Sequence, residues 1–345
     1  MVKFEHTLLK WWFIWLLAAS AGVSPAGCGS QEPPDRLRVL VADSLARPFR
    51  ALAVAFEAEH RDVRIVLVSS GSVLAAHRLV HGNDRADVLA VADYQVIDRL
   101  MRPGHADWSI CFATNEIGIT YTDMSRGAAE LTVDNWFHIL ARPDVKVQAA
   151  NPHHDPCGYW TELCWRLADL HYQGQGVSGQ GTIHERMTDK CGPAVDRRTD
   201  SQQLLRLVES AGGIDYAFVY RSQALQHNQP FLRLPPQINL GDADHVASYR
   251  RVAIELPGRK SGSRIEKRGD AIVFALTIPK DAARPQLAEQ FVAFMLSPAG
   301  RAVLKMEHVD VMDRPWTYDL EQMPVRLRSY VVTRPRNAQV NAGAG

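Results

Sequence analysis

Two serine-containing turns lie where the sequence predicts the passage from a strand into a helix. Asp43 and Ser44 follow one apolar run, and Gly71 and Ser72 follow the next. A serine at a helix N-terminus places a hydroxyl beside backbone N–H groups that have no partner within the helix, and such a turn can bind an anion. Either serine alone could be an ordinary N-cap. Two serines at equivalent turns favour a common ligand.

Two more helix starts are predicted in the middle of the chain. Asp155 and Cys157 belong to the segment DPCG, which opens a helix predicted to extend to Tyr172. Ser201 ends the segment TDS, which opens another helix. Their N–H groups could face the same anion from the opposite side. Hydroxyls and backbone amides enter no charge count, so a dianion site built from them needs no surplus of Lys or Arg.

The serine turns must be brought to one edge of a sheet. Strands alternate with helices in the first third of the chain, which predicts a parallel α/β sheet. The predicted strands are 36–42, 63–69 and 86–92, and the predicted helices are 49–59, 73–81 and 94–101. Ligands of such sheets bind beyond the carboxyl ends of the strands. Ser44 and Ser72 lie at these ends.

Two long extended runs, 109–122 and 269–279, enclose a central block. We interpret them as hinge strands between two lobes, because 345 residues exceed the ~250–300 at which a single core stops growing. The predicted division gives 37–114 with 275–330 to the first lobe, 115–274 to the second, and 331–345 to a flexible tail. Discontinuous lobes of this kind can close around a ligand.

The overall charge excludes some classes of protein. The 39 Lys and Arg residues nearly balance the 38 Asp and Glu residues, and a net charge of +1 argues against a nucleic-acid-binding protein. With 46% apolar and 22% charged residues, the composition is that of a globular protein rather than a disordered one.

Residues 1–27 are predicted to form a signal peptide. Lys3 and Lys10 flank an apolar run, 11–19, that is shorter than the ~20 residues of a membrane-spanning helix. The segment PAGC, ending at Cys28, resembles the lipobox of bacterial lipoproteins, whose cysteine is acylated. Ordinary cleavage with an incidental Cys28 is the alternative. We therefore predict export to the periplasm or the outer face of the cell membrane. The only membrane attachment would be a lipid anchor at Cys28, and residues 28–36 would form a linker.

Four cysteines remain after Cys28. They are Cys111, Cys157, Cys164 and Cys191. Outside the cytosol an even number of cysteines permits disulfides, here in three possible connectivities. Their spacing does not match a zinc site.

Three further motifs receive structural interpretations. Residues 174–179 spell a dinucleotide-binding pattern, but they follow a helix rather than a strand, which favours a flexible loop. His153, His154 and Asp155 could supply metal ligands to a secreted hydrolase, although exposed loop histidines are the simpler interpretation. The basic segment 258–268 is predicted to be a solvated loop.

Nine segments, in order from about residue 37 to about 305, resemble the tungstate/molybdate-binding proteins of ABC importers, the WtpA/ModA family, and especially its archaeal-type branch. They are VADSL at 41–45, SSGSV at 69–73, ADVLAVADY at 86–94, ADW at 106–108, DNW at 134–136, RPDV at 142–145, NPHHDPCGY at 151–159, IDYAFVYRS at 214–222 and LTIPK at 276–280.

The resemblance implies a two-lobe, type II periplasmic-binding fold without a cofactor or catalytic activity. A monomer would capture the oxyanion in its cleft and deliver it to the permease and ATPase subunits of an ABC transporter. It implies that Ser44, Ser72 and Tyr220 bind the oxyanion, together with backbone amides near Cys157 and Ser201. In the archaeal-type branch the residue matching Asp155 also coordinates the metal directly.

The sequence departs from this branch at two positions that also belong to the predicted ligand-binding site. Val219 replaces a second metal-coordinating Glu, and Asp43 stands where Gly is common. A carboxylate close to a dianion repels it unless it is protonated or bound to the metal. We therefore expect near-tetrahedral binding, or binding in which Asp155 alone approaches the metal. The same scaffold could alternatively bind sulfate or phosphate.

Overall fold

The structure is a computed structural model that describes residues 35–82, 84–173, 181–193, 197, 199–210, 212–257 and 262–335. The predicted signal peptide, Cys28 and the glycine motif at 174–179 lie outside the described residues.

The strands of the described ranges are β1 Asp35–Ala42, β2 Val63–Ser70, β3 Val88–Val91, β4 Ile110–Thr114, β5 Ile117–Thr120, β6 Val147–Gln148, β7 Tyr216–Tyr220, β8 Phe231–Arg233, β9 Ala253–Pro257, β10 Arg264–Arg268, β11 Val273–Thr277, β12 Asp310–Thr317 and β13 Val332–Thr333. The helices are α1 Ala46–Glu59, α2 Ser72–His81, α3 Tyr94–Val96, α4 Trp136–Leu140, α5 Pro156–His171, α6 Ile183–Cys191, α7 Ser201–Glu209, α8 Arg221–Gln226, α9 Val246–Tyr249, α10 Pro285–Leu296, α11 Pro298–Met306 and α12 Val325–Arg328.

The first lobe is built on a seven-stranded sheet in the order β13-β12-β4-β11-β3-β1-β2, counted over the described residues. Only β2, β1 and β3 form the predicted parallel ladder. The predicted parallel arrangement of these three strands is confirmed, whereas the sheet as a whole is mixed, because β11 runs antiparallel to both β3 and β4. The mixed α/β class is confirmed.

Both faces of this sheet are covered. Leu37, Val39 and Val41 of β1 pack into one hydrophobic core, and Leu40 packs into a second core on the opposite face. A strand buried on both faces has no polar side to alternate with its apolar side, so its sequence is a continuous apolar run. This explains why β1, which leads to the first serine turn, was recognisable in the sequence.

The second lobe carries a four-stranded sheet in the order β6-β7-β5-β8 and a separate two-stranded hairpin, β9-β10. The chain passes from the first sheet to the second between β4 and β5, at Asn115 and Glu116. The returning chain runs alongside, where the Asn115 N–H donates to the carbonyl of Ile272 at 3.3 Å. The two extended runs of the sequence thus lie side by side between the sheets.

Three predicted boundaries are corrected by the structure. The predicted linker ends earlier, because β1 begins at Asp35. The predicted tail begins later, because Val332 and Thr333 form β13 and pair with β12. The basic segment at 258–268 is not wholly a solvated loop, since 264–268 form β10 and Lys267 is fully buried.

Candidate functional site

A cleft cavity of about 650 Å³ is lined by residues of both lobes. The first-lobe side includes Asp43, Arg47, Arg50 and the segment 69–71. The second-lobe side includes Asn151, His154, Asp155, Thr199, Asp200, Gln202, Arg206 and His227. Of the eight predicted ligand-binding residues, Asp43 and Asp155 line this cavity. The other six, Ser44, Ser72, Cys157, Ser201, Val219 and Tyr220, are fully buried.

Asp43 and Ser44 form a short 3-10 turn at the carboxyl end of β1. The N-cap of this turn is Ala42, and neither side chain caps it, so the interpretation of Ser44 as an ordinary N-cap is wrong. The hydroxyl of Ser44 is buried and has no hydrogen-bond partner among the described residues. The side-chain amide of Gln202, on the second lobe, donates to the Asp43 carbonyl at 2.9 Å.

The carboxyl group of Asp43 is held in its neutral form near neutral pH. Burial, followed by the neighbouring carboxylates of Asp155 and Asp200, raises the pKa of Asp43 to about 8. A protonated carboxyl donates a hydrogen bond, whereas an ionised one would repel an anion. Below that pH, Asp43 therefore faces the cleft as a hydrogen-bond donor. The repulsion expected between its carboxylate and a bound anion is then absent.

Ser72 is the first residue of α2. The N-cap of α2 is Gly71, so no side chain caps this helix. The Oγ of Ser72 accepts a hydrogen bond from the Ala92 N–H at 3.0 Å, which leaves the hydroxyl proton to donate elsewhere. Gly71 lies against the second lobe. A Cβ atom at this position would overlap the carbonyl oxygen of His154 and lie 3.2 Å from the Cα of Asp155.

Asp155 joins two helix N-termini of the second lobe. Its Oδ1 accepts from the Cys157 N–H at 2.9 Å, and its Oδ2 accepts from the Ser201 N–H at 3.1 Å. The two backbone amides that were expected to bind the oxyanion are thus already bonded to this carboxyl. Burial raises the pKa of Asp155 against the opposing effect of these hydrogen bonds.

Tyr220 and Val219 are neighbours at the end of β7, but they face different surroundings. The Tyr220 hydroxyl is buried and unpartnered within the described ranges. Burial, the Cys157 thiol and the Asp155 carboxyl raise the pKa of Tyr220, so the hydroxyl stays protonated close to Asp155. Val219 belongs to the hydrophobic core and lies opposite Gly118 of β5. Position 219 therefore offers no carboxylate.

Most residues that line the cleft were not predicted as ligand-binding residues. Arg47, Arg50 and Arg206 line it, and so does Thr199, whose buried hydroxyl has no partner in the part of the chain that the structure describes. The only available signal was that Arg47 and Arg50 lie in the first turns of the helix after Ser44. Arginine on a helix usually faces solvent, so the sequence alone did not select them.

The described residues contain no group of three or more His, Cys, Asp or Glu side chains arranged to bind a metal ion. His153, His154 and Asp155 therefore form no hydrolase-type metal centre there. Cys111, Cys157, Cys164 and Cys191 are buried free thiols. None of the helices in the described ranges has the length and apolar character needed to span a membrane.

The chain is similar to known proteins over most of its length. The family model described as bacterial extracellular solute-binding protein matches residues 37–308. A solute-binding protein of Petrotoga mobilis is 35% identical over 293 residues, 85% of this chain and 89% of the relative. The molybdate/tungstate-binding protein WtpA of Pyrococcus abyssi is 35% identical over 300 residues, 81% of this chain and 86% of the relative.

A solved structure has the same fold. The periplasmic molybdate-binding protein of Azotobacter vinelandii superposes with a TM-score of 0.54 at 19% identity, over 79% of this chain and 98% of that protein. Its two-lobe arrangement confirms the predicted type II periplasmic-binding fold. The chain belongs to the family of bacterial extracellular solute-binding proteins.

Proposed function

We propose that this protein binds tungstate or molybdate between its lobes, as the solute-binding component of an ABC importer. The observation that carries the proposal is the pair of buried hydroxyls of Ser44 and Tyr220, which have no hydrogen-bond partner among the described residues. A buried polar group without a partner costs ~1–3 kcal/mol. A tetrahedral oxyanion supplies acceptors that would remove this cost on both lobes at once.

The electrostatics of the cleft support an anionic ligand. Asp43 is neutral below about pH 8 and donates rather than repels. Arg47, Arg50 and Arg206 line the cavity and raise the local concentration of anions. The remaining donors would be the Ser72 hydroxyl, the Thr199 hydroxyl and, after rearrangement of Asp155, the amides of Cys157 and Ser201.

Asp155 would be the one carboxyl able to approach the metal atom of the bound oxyanion. Val219 cannot replace the second carboxylate of the archaeal-type branch, so the proposal includes near-tetrahedral binding or coordination by Asp155 alone. X-ray absorption on the tungstate-loaded protein measures the number of light-atom neighbours. Four or five neighbours are expected, and six would contradict this part of the proposal.

The location follows from the same function. Export by the signal peptide and acylation at Cys28 would place the binding lobes beside a permease in the cell membrane. Mass spectrometry of the mature protein tests this step, because a diacylated N-terminal Cys28 is expected and an unmodified cleavage product would contradict it.

Calorimetric titration with tungstate, molybdate, sulfate and phosphate tests the ligand. Saturable binding of tungstate or molybdate at concentrations where sulfate and phosphate do not compete is expected. Preference for sulfate or phosphate would instead favour the alternative ligand on the same scaffold. No binding of any of the four anions would refute the proposal.

A further inference from the structure

A buried ion pair joins the two lobes outside the cleft cavity. The ammonium group of Lys267, on β10, lies 2.5 Å from Oδ2 of Asp93, the residue that caps α3. The Lys267 side chain is 0% exposed and that of Asp93 is 2% exposed. Asp93 follows β3 in the first lobe, whereas Lys267 belongs to the hairpin of the second lobe. The pair therefore crosses from one lobe to the other.

Further polar contacts surround this pair. The Tyr159 hydroxyl donates to the same oxygen of Asp93 at 2.7 Å, and Lys267 donates to the side-chain carbonyl of Gln95 at 3.1 Å. The Lys267 ammonium also lies 4.0 Å from the ring centroid of Trp160, a favourable cation–π distance. Tyr159 and Trp160 belong to α5, the helix that Asp155 caps. The ion pair thus fixes the position of that helix relative to the first lobe.

Burial makes this contact sensitive to lobe separation. Both charges are removed from water here. Asp93 also accepts from the Gln95 N–H of its own lobe at 2.9 Å, but the ammonium group that balances its charge comes from the other lobe. Losing one partner of a buried pair leaves an uncompensated charge in a dry environment, which is strongly unfavourable. An opening that carried β10 away from Asp93 would separate the two charges or expose both of them to water.

The pair does not contact the proposed anion site. Neither Asp93 nor Lys267 is among the described residues that line the cleft cavity. A change in ligand binding caused by Lys267 would therefore act through the position of the lobes. Asp93 is less independent of the site, because it follows Ala92, whose N–H donates to the Ser72 hydroxyl. The chain also offers a matched exposed pair, because Arg264 on the same strand lies 3.2 Å from Glu255, with both side chains more than two-thirds exposed.

We propose that Lys267 and Asp93 form a latch that stabilises the closed arrangement of the lobes, with Lys267 as a positioning residue for α5 and Asp155. The latch acts whichever anion the cleft binds. It predicts that closure is partly built into the protein and is not supplied by the ligand alone.

The first measurement is small-angle X-ray scattering of the full chain without ligand. Lys267→Met should increase the radius of gyration, because the buried Asp93 would lose its counter-charge and the lobes would separate. Arg264→Met should leave the radius unchanged, since exposed pairs contribute little. Addition of saturating tungstate should return the Lys267→Met variant to the compact form.

The second measurement is a double-mutant cycle on tungstate affinity. Lys267→Met should weaken binding by about tenfold or more, whereas the double variant Lys267→Met with Asp93→Asn should recover part of the loss because no buried charge remains. Asp93→Asn completes the cycle; it keeps an acceptor for Tyr159 but leaves Lys267 without its counter-charge, so it should also weaken binding. If either single variant does not fold, the double variant, which buries no charge, still allows lobe separation to be measured.

Several outcomes would overturn the latch. One is a Lys267→Met variant with the scattering profile and affinity of Arg264→Met. Another is a lower melting temperature with unchanged lobe separation, which would show a role in general stability only. If the wild-type protein bound none of the tested anions, the scattering comparison would still decide the latch, so the two proposals fail separately.

Discussion

The two walls of the cleft prepare for an anion in different ways. The first-lobe wall presents hydroxyls at helix starts, and the Ser44 hydroxyl is buried without a partner among the described residues. The second-lobe wall has already satisfied its helix-start amides, because the Asp155 carboxyl accepts from Cys157 and Ser201. The helix-start amides of the second wall therefore become available to a ligand only if Asp155 moves, unless Asp155 itself acts as the ligand. The hydroxyls of Ser44 on the first wall and Tyr220 on the second, which have no partner among the described residues, need no such exchange.

This difference predicts that some side chains of the cleft affect the free energy of unfolding and others affect the affinity for the ligand. A side chain bonded within the protein contributes to folding, and its removal should lower the free energy of unfolding. A side chain whose donor is unpaired contributes to binding, and its removal should lower affinity without harming the fold. The following changes test the two walls by measuring both quantities on the same variants.

Asp155→Ala should have the largest effect. It removes the acceptor of two helix N-termini and should lower the free energy of unfolding, measured by urea denaturation without anion, by ~1–3 kcal/mol. Tungstate affinity should fall as well, if Asp155 approaches the metal. Asp200→Ala is the matched control for the loss of a helix cap beside the cleft. Asp200 caps α7 by accepting from the Gln203 N–H at 2.7 Å, and it also lines the cleft. A stable Asp155→Ala protein would contradict the assignment of Asp155 to the second-wall network.

Tyr220→Phe should show the opposite behaviour. Tungstate affinity should fall by ~1–3 kcal/mol, while the free energy of unfolding without ligand should stay constant or rise, because the hydroxyl has no partner in the described structure. Tyr172→Phe is the control, since that buried hydroxyl donates to the Val133 carbonyl at 2.6 Å. The control should lose stability and keep its affinity. Equal losses of stability in both variants would remove Tyr220 from the ligand site.

The pH dependence of binding tests Asp43. Its neutral form donates to the anion, so tungstate affinity should be constant below about pH 8 and fall by up to about tenfold per pH unit above it. Asp43→Asn should abolish this decline. Because the pKa of Asp43 is raised in the folded protein, its contribution to stability is present below the ordinary carboxyl value of 3.8 and is lost as the pH rises through about 8. An unchanged pH profile in Asp43→Asn would refute the role of Asp43 as donor.

The arginines of the cleft should have the smallest effect. Arg50→Gln combined with Arg206→Gln should slow association with tungstate a few-fold at low ionic strength and little at high salt. The reason is that dissolved salt screens the attraction between exposed charges and an approaching anion. Stopped-flow fluorescence measures the rate, and Arg326→Gln, at an exposed position on α12, is the control. Equal slowing at all salt concentrations would indicate a direct contact with the ligand instead.

The sequence predicted the parts of the fold that depend on local patterns. The strand before Ser44 ends in a continuous apolar run because both of its faces are buried, and the strand before Ser72, at the edge of the sheet, is also largely apolar. The ends of both strands agree with the structure within one residue. The antiparallel direction of β11 was missed, since strand direction depends on where the chain returns from the second lobe. No local pattern encodes it.

The same limit applies to the candidate site. Asp43, Ser44 and Asp155 could be selected because they stand at helix starts. Lys267 was expected in a solvated loop, because a lone lysine in a basic segment usually faces water. Its burial depends on Asp93, 174 residues away in the sequence. The bonding of Asp155 to both helix starts depends equally on a neighbour, Ser201, that only the folded chain brings near.

The close approach at Gly71 has a mechanical consequence. Backbone meets backbone where this residue faces His154, so the spacing of the lobes at this point is set by peptide atoms rather than by rotatable side chains. A stop made of peptide atoms cannot adjust its thickness by changing a rotamer. The width of the closed cleft is therefore fixed at this point. An anion too large for that width would prevent the lobes from meeting, whatever hydrogen bonds the anion could form.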